Sequence, residues 1–136
     1  MIENIDFPKV EGVAIAIVHE QIPDEEDKAW YVYIINQNEQ SLQNVLVTSK
    51  GYGENLEGEK QKTTTLRYNI EELKPHTAVK LEPIIEEVFA LHNEYWVSYY
   101  IDKKIYDKKF IFPPESIVKE NLTNIPILET KGILHK

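Results

Sequence analysis

The sequence predicts an all-β protein, an immunoglobulin-like β-sandwich of about seven strands with one short connecting helix, in a single domain over residues 1–136. Three observations lead to this prediction. Two apolar runs, Trp30–Asn36 and Val45–Gly53, flank a polar stretch that suits a turn. Strand-like segments separated by turn residues recur about every eight to twelve residues as far as Phe112. The segment Tyr95–Phe112 has the alternation of a β-hairpin.

Each strand is predicted from apolar residues bounded by turn residues. The first strand has apolar residues on both faces, which indicates either that both faces are covered or that its small alanines face a neighbouring element. An acidic loop, Ile22–Asp27, separates the first strand from the second. The strands predicted before the hairpin are, in order, Val10–Glu20, Trp30–Asn36, Val45–Gly53, Lys62–Ile70 and Thr77–Glu82.

The apolar spacing changes before the hairpin. Pro83 suits the first position of a helix, and the residues after it recur at helical spacing. The segment Pro83–His92 is therefore predicted to be a helix of about two turns, which depends on packing for its stability. The apolar residues that define its buried side are Ile84, Ile85, Val88, Phe89 and Leu91.

The hairpin Tyr95–Phe112 defines two faces. An even-numbered turn centred on Lys103 and Lys104 is expected to close it. The cross-strand pairs in this register are Ile101 with Tyr106, Val97 with Phe110, and Tyr95 with Phe112. The face expected to enter the core carries Tyr95, Val97, Tyr99, Ile101, Tyr106, Phe110 and Phe112. The opposite face carries Trp96, Ser98, Tyr100, Asp107, Lys109 and Ile111.

Further expectations concern the corner before the hairpin and the C-terminal part. Tyr95 begins a strand at the point where immunoglobulin-like sandwiches place a tyrosine whose hydroxyl bonds back to the corner. Residues Ile117–Leu128 form either a turn of helix followed by a strand or an irregular segment laid across the sandwich. Ile133 and Leu134 lie so close to the end that we expect the tail to be held against the fold.

The composition disfavours several classes of function. The chain has a formal net charge of -8 and a single arginine, Arg67, so neither nucleic acid nor a membrane surface is expected as a partner. It has no cysteine, which excludes disulfides, zinc–thiolate sites, iron–sulfur clusters and a thiol nucleophile. The first residues lack a signal-peptide pattern, and no apolar run is long enough to span a bilayer. We therefore expect a cytoplasmic protein.

No residue pattern predicts catalysis, a metal site or a cofactor, and we expect that the protein is not an enzyme. The acidic run Asp24–Asp27 lacks the ligand spacing and the central glycine of a calcium loop. Glu86 and Glu87 fall on the polar side of the predicted helix. A cryptic enzyme would need a pocket that gathers a histidine with carboxylates from distant strands. The histidines fall in unrelated segments without metal-ligand spacing, at His19, His76, His92 and His135.

Aromatic residues in the strands are the one enriched chemical group, and they indicate a binding surface. The candidate interaction surface is the outer hairpin face, with Trp96, Tyr100, Ile111 and Lys109. The leading hypothesis is a protein partner, or association of copies of the chain through a sheet edge or this face. The alternative is a small-molecule or carbohydrate-binding module, which requires Trp30 or Trp96 to be exposed beside a concave polar site. A purely structural alternative is that residues 117–134 cover this face.

Several stretches from Trp30 onward resemble a small family of uncharacterised bacterial proteins, some of which are labelled as phenylalanyl-tRNA synthetase subunits. The stretches are Val32–Asn36, Val45–Tyr52, Lys108–Phe112, Ile125-Pro126 and Lys131–Leu134. The resemblance implies no active-site residues. A class II synthetase needs motif arginines on its nucleotide and adenylate, whereas Arg67 lies outside any such motif and the chain is short for the catalytic domain. We therefore do not expect synthetase activity, and RNA binding ranks last among the hypotheses.

Overall fold

The computed structural model describes residues 8–54 and 57–136, which are mostly β-structure. In these ranges the chain forms ten strands rather than about seven, together with two 3₁₀ turns, Glu86–Ala90 and Lys119–Asn121. The predicted all-β class is confirmed. The strands are β1 (Val13–Gln21), β2 (Lys28–Asn36), β3 (Leu42–Glu54), β4 (Lys60–Lys62), β5 (Leu66–Leu73), β6 (Thr77–Ile84), β7 (His92–Ile101), β8 (Lys104–Phe112), β9 (Thr123–Ile125) and β10 (Thr130–His135).

The strands form two antiparallel sheets. The first sheet has the order β6-β2-β1-β10-β9. The second sheet has the order β4-β3-β7-β8, and β5 also pairs with β3. The two apolar runs that first indicated the fold, β2 and β3, therefore lie in opposite sheets. The polar residues 37–41 between them cross from one sheet to the other, rather than closing a hairpin.

Alternation along the strands builds the core between the sheets. Val13, Ile15 and Ile17 of β1 share one buried cluster with Val47 and Val97 of the second sheet. Their exclusion from water drives the two sheets together. The other face of β1 is buried too, in a cluster that contains Ala14, Ala16, Val18, Tyr33, Ile35 and Ile125. Both faces of β1 are thus covered, which is the first of the two alternatives that its apolar pattern left open.

The predicted helix Pro83–His92 is wrong. Pro83 and Ile84 belong to β6, where they pair with Tyr31 and Trp30, and only Glu86–Ala90 turns, as a 3₁₀ segment. The segment has to cross between the sheets within a few residues, so there is no room for an α-helix that packing could stabilise. Asn93 holds the turn instead, because its Nδ2 donates to the carbonyl of Val88 at 2.9 Å.

The β7–β8 hairpin has the predicted faces but not the predicted register. Tyr95 lies opposite Phe110 and Tyr99 opposite Tyr106, so each pairing differs by two residues from the prediction. The reason is a two-residue turn at Asp102-Lys103, in which both residues have positive φ (47° and 70°), as a type I′ turn requires. Because the side-chain period of a strand is two residues, this shift leaves every side chain on its predicted face.

One other segment differs from its prediction, and a second decides between two predicted alternatives. The predicted strand Lys62–Ile70 is divided into β4 and β5 by residues 63–65, where the hydroxyl of Thr63 accepts a hydrogen bond from the amide of Gly51 at 2.7 Å. Residues 117–128 contain a 3₁₀ turn followed by the strand β9, which is the first of the two alternatives. The tail is held against the fold, because β10 pairs with β1 and places Ile133 opposite Ile17.

The predicted tyrosine corner takes a different form. The hydroxyl of Tyr95 donates to Oε2 of Glu82 at 3.0 Å rather than to a backbone carbonyl. Tyr95 therefore links β7 to β6 across the core, through a side chain. In the part of the chain that the structure describes, no helix is long and apolar enough to cross a membrane.

His135 makes the stability depend on pH at the edge where β10 approaches β8. Its ring packs edge-on against Phe110 and Phe112, with centroids 5.3 and 5.7 Å away. Burial lowers the pKa of His135 below its usual value, and the ammonium of Lys108 acts in the same direction. The unfolded chain therefore binds this proton more readily than the folded chain, and the contribution of His135 to stability is lost as the pH falls below about 6.5.

We expect the stability advantage of the wild type over His135→Gln to shrink between about pH 8 and about pH 5.5. Urea unfolding of both proteins at the two pH values measures this difference, in which the titration of all other groups cancels. A difference that is constant or that grows toward low pH would contradict the packing of the neutral imidazole.

Candidate functional site

The outer face of the second sheet exposes a set of large apolar side chains. Leu46 of β3, Trp96 and Tyr100 of β7 and Ile105 of β8 are each 40–42% exposed. The strand register makes them neighbours, because Tyr100 lies opposite Ile105 and Trp96 lies one row from Leu46. Lys109 and Ile111 of β8 lie on the same face. We call the six residues together the Trp96 surface: Leu46, Trp96, Tyr100, Ile105, Lys109 and Ile111.

Trp96 is held in place by charged neighbours on β8. Its Nε1 donates to the carboxylate of Asp107, and Nζ of Lys109 lies over the indole, 4.4 Å from the ring centroid. Lys109 is also the direct cross-strand partner of Trp96. The indole therefore has a hydrogen-bonded edge and one face under a cation, which orients it before any ligand arrives.

A shallow cavity of about 240 Å³ lies beside Trp96. Its other walls are Leu46, Thr48, Ser98 and Asp107, so it combines an aromatic wall with two hydroxyls and a carboxylate. Small-molecule sites usually enclose about 300–1,000 Å³. This cavity is nearer the size of one amino-acid side chain or one sugar ring.

The structure brings the four predicted surface residues onto one face. Trp96, Tyr100 and Lys109 are exposed, whereas Ile111 is half-buried opposite Glu94. The C-terminal segment does not cover them, since β9 and β10 belong to the first sheet. Sequence reasoning missed Leu46 and Ile105. For Leu46 the signal is its place in the alternation of β3, between the buried Val45 and Val47, whereas Ile105 lies beside the exposed Lys104 and has no such signal.

The second tryptophan, Trp30, has a structural environment. It is half-buried and stacks on His19 with centroids 4.4 Å apart. Phe89 meets it edge-on at 5.4 Å, and its Nε1 donates to Glu86 at 3.3 Å. Trp30 therefore anchors the 3₁₀ turn Glu86–Ala90 to the first sheet. The partner of His19, which could not be found from sequence spacing, is this indole.

A second site lies between the sheets, where Glu82 accepts three hydroxyl hydrogen bonds. The hydroxyl of Ser49 donates to Oε1 at 2.9 Å, and the hydroxyl of Tyr68 donates to the same oxygen. The hydroxyl of Tyr95 donates to Oε2 at 3.0 Å. The donors come from β3, β5 and β7, so one carboxylate of the first sheet is bound by three strands of the second. A cavity of about 230 Å³ opens beside Glu82, Ser49 and Tyr95.

The tyrosines around Glu82 are held as hydrogen-bond donors. Burial raises the pKa of Tyr68 above its ordinary value, and the hydrogen bond to Glu82 raises it further. Burial also raises the pKa of Tyr95 well above its ordinary value, with the charge of Glu82 acting in the same direction. Both hydroxyls therefore keep their protons at neutral pH and remain available to the carboxylate.

The remaining titratable residues are dispersed. His92 stacks on Tyr52, with centroids 5.2 Å apart, and His76 contacts Glu39 at 2.8 Å on the exposed surface. Within residues 8–54 and 57–136, no group of three or more His, Cys, Asp or Glu side chains is arranged to hold a metal ion. The acidic run Asp24–Asp27 lies in the turn between β1 and β2.

No protein-family model matches the chain, no curated protein matches it, and no solved structure matches it. The resemblance of the segments after Trp30 to a bacterial family therefore stays a prediction.

Proposed function

We propose that the chain is a non-enzymatic protein that recognises a protein partner through the Trp96 surface. One observation carries this proposal: Leu46, Trp96, Tyr100 and Ile105 are all 40–42% exposed on a single sheet face. Contiguous apolar patches of this kind on a soluble protein are typical of protein interfaces. The corresponding face of the first sheet carries a cluster of buried side chains instead.

The arrangement of Trp96 favours a protein partner over a sugar. Tryptophan and tyrosine dominate the binding energy of many interfaces when they lie near the centre and are already ordered. Trp96 is ordered by Asp107 and Lys109, and the adjacent cavity has about the volume of one inserted side chain. Lys109 lies over the ring, so a pyranose could stack on that face only after the lysine moved.

A carbohydrate ligand is the second candidate, and it has its own supporting observation. Trp96 is exposed beside a concave site whose walls include Thr48, Ser98 and Asp107. Titration of purified protein with a panel of mono- and oligosaccharides tests it, with the indole Nε1–H resonance of Trp96 as the signal. A saturable shift of this resonance, absent for Trp30, would favour the sugar over the protein partner.

We also propose the finer description of the fold as immunoglobulin-like. In such sandwiches the second strand pairs with the first and with a later strand, while the third strand pairs in the other sheet with the penultimate strand of the fold. Here β2 pairs with β1 and β6, whereas β3 pairs with β7 and β7 with β8. The strands β9 and β10 extend the first sheet beyond β1.

The proposed function also includes a cytoplasmic location, and it includes neither nucleic acid nor a membrane as a partner.

Association of copies through the β8 edge of the second sheet is disfavoured within this proposal. The strand at one end of the second sheet, β8, carries Lys104, Lys108 and Lys109 along its length. Lysines on an edge strand oppose pairing with another strand. Within this proposal a homo-oligomer forms through the Trp96 surface rather than through the β8 edge, and sedimentation over a concentration series distinguishes it from a monomer that awaits a different partner.

The test of the proposed function is a comparative pull-down from cells that express the protein. The baits are the wild type, the double variant Trp96→Ser/Tyr100→Ser, and the control Ile127→Ser, which alters an equally exposed apolar residue (42%) after β9. We expect a partner that the wild type and the control retain, and that the double variant loses by more than about tenfold. Equal recovery by all three baits would contradict the proposal.

A further inference from the structure

The carboxylate of Glu82 gives the cavity beside it a negatively charged wall. Ser49, Tyr68 and Tyr95 orient the carboxylate, but they are neutral donors and leave its charge uncompensated. Among the residues described by the structure, the cationic groups that form ion pairs do so elsewhere: Lys50 with Glu94, Lys80 with Glu20 and His76 with Glu39. Lys50 lines the cavity, yet its Nζ lies toward Glu94, on the outer face of the sheet.

Glu82 retains an unused acceptor position. Each carboxylate oxygen can accept about two hydrogen bonds. Among the residues that the structure describes, Oε1 receives the hydroxyls of Ser49 and Tyr68, whereas Oε2 receives that of Tyr95 alone. The carboxylate is therefore rigidly placed, charged and open to one further donor at Oε2.

Apolar side chains form part of the wall and rim of this cavity, beside the polar residues Lys50, Thr63, Thr64 and Asn93. Leu66 and Ile85 line it while 46% and 61% exposed, and Ile84 and Val88 lie deeper. A ligand that matches the site has an apolar stem of a few methylenes and a compact cation at its end, like the side chain of lysine. A guanidinium is a poorer match, because its planar fork is suited to two acceptor oxygens at once.

We propose that this cavity binds a primary alkylammonium group, with the ammonium donating to Oε2 of Glu82 and the alkyl stem lying against Leu66 and Ile85. The net charge of -8 assists the approach of such a cation. The proposal does not depend on the Trp96 surface, which lies on the opposite face of β3 and β7. The ammonium belongs either to a free amine or to a lysine side chain of another protein, and the experiment separates these sources.

The test is an amide NMR titration of the full chain with n-butylammonium chloride. We expect saturable shifts of the Ser49, Gly51 and Tyr95 amides. The neutral analogue n-butanol should bind more than about tenfold more weakly, because it cannot supply the charge. In Glu82→Gln the affinity for butylammonium should fall by a similar factor. The matched control Glu71→Gln, which makes the same charge change on an exposed residue of β5, should bind as the wild type does.

Two further arms complete the design. Leu66→Ser alters a rim residue that is 46% exposed, and it should weaken butylammonium binding while Glu82 stays intact. The peptide acetyl-Gly-Lys-Gly-amide competes with butylammonium if lysine side chains enter the cavity, and fails to compete if only free amines do. Absence of saturable shifts in the wild type, equal affinity for butanol, or unchanged binding by a folded Glu82→Gln would each overturn the proposal.

Discussion

Replacing Phe110 with alanine is expected to lower the free energy of unfolding by about 3–5 kcal/mol. Phe110 lies on β8 with none of its surface exposed, opposite Tyr95 and in contact with the ring of His135. The substitution removes a fully buried ring and leaves a cavity between the two sheets. For a domain with a total stability of about 5–15 kcal/mol, such a loss brings the folded state close to its limit. Urea unfolding measures it directly.

The matched control for Phe110 is Ile105→Ala on the same strand. Ile105 belongs to the outer face and is 40% exposed, so its truncation should cost less than about 1 kcal/mol. The contrast between the two variants tests the assignment of the faces of β8. Equal losses at both positions would contradict it.

The change Asn36→Asp is expected to cost about 3 kcal/mol or more at neutral pH. Asn36 is completely buried, and its Nδ2 donates to the carbonyls of Gln40, Leu73 and Lys74 at 2.9, 3.1 and 3.2 Å. An aspartate has the same shape but would direct a carboxylate oxygen at three carbonyl oxygens. The connections that lead out of β2 and β5 would lose the group that joins them.

The pH dependence gives this second prediction its signature. Burial among carbonyl oxygens should hold the pKa of the new carboxyl above its usual value of about 3.9. The destabilisation should therefore diminish as the pH falls from neutral toward about 4, and be smallest below that, where the folded and unfolded states are both protonated. The control is Asn69→Asp, at an exposed position of β5, with an expected effect within about 0.5 kcal/mol. A loss at Asn36 that does not change with pH would refute the electrostatic explanation.

The faces of the hairpin could be predicted from the sequence, whereas its register could not. Alternation of apolar residues in Tyr95–Phe112 determines which side chains enter the core, and this agreed with the structure. The register depends on the turn, where Asp102 and Lys103 both adopt positive φ. Lysine is uncommon in that conformation, so the type I′ turn has no clear local sign among these residues.

The predicted helix failed for a related reason. Five apolar residues between Pro83 and His92 fit a helical period, but a stretch this short also fits the end of a strand followed by one 3₁₀ turn. The deciding factor is tertiary: the chain must pass from β6 in the first sheet to β7 in the second. The distance between sheets is not visible in local periodicity.

The two candidate sites differ in the same way. Trp96, Tyr100 and Lys109 share a face because of the strand period alone, and the sequence therefore predicted their proximity. The Glu82 site needs Ser49, Tyr68 and Tyr95 from three different strands. Their meeting depends on how β3, β5 and β7 are ordered, and no spacing along the chain encodes that order.

The most direct test of the proposed function is hydroxyl-radical footprinting of Trp96, in the isolated protein and with the partner recovered in the pull-down. Trp96 is 42% exposed, while Trp30 is half-buried under His19 and serves as the internal reference. We expect rapid oxidation of Trp96 in the isolated protein, slowed more than about tenfold in the complex, with Trp30 unchanged. Oxidation of Trp96 at the same rate in both states would contradict the proposal that its surface binds the partner.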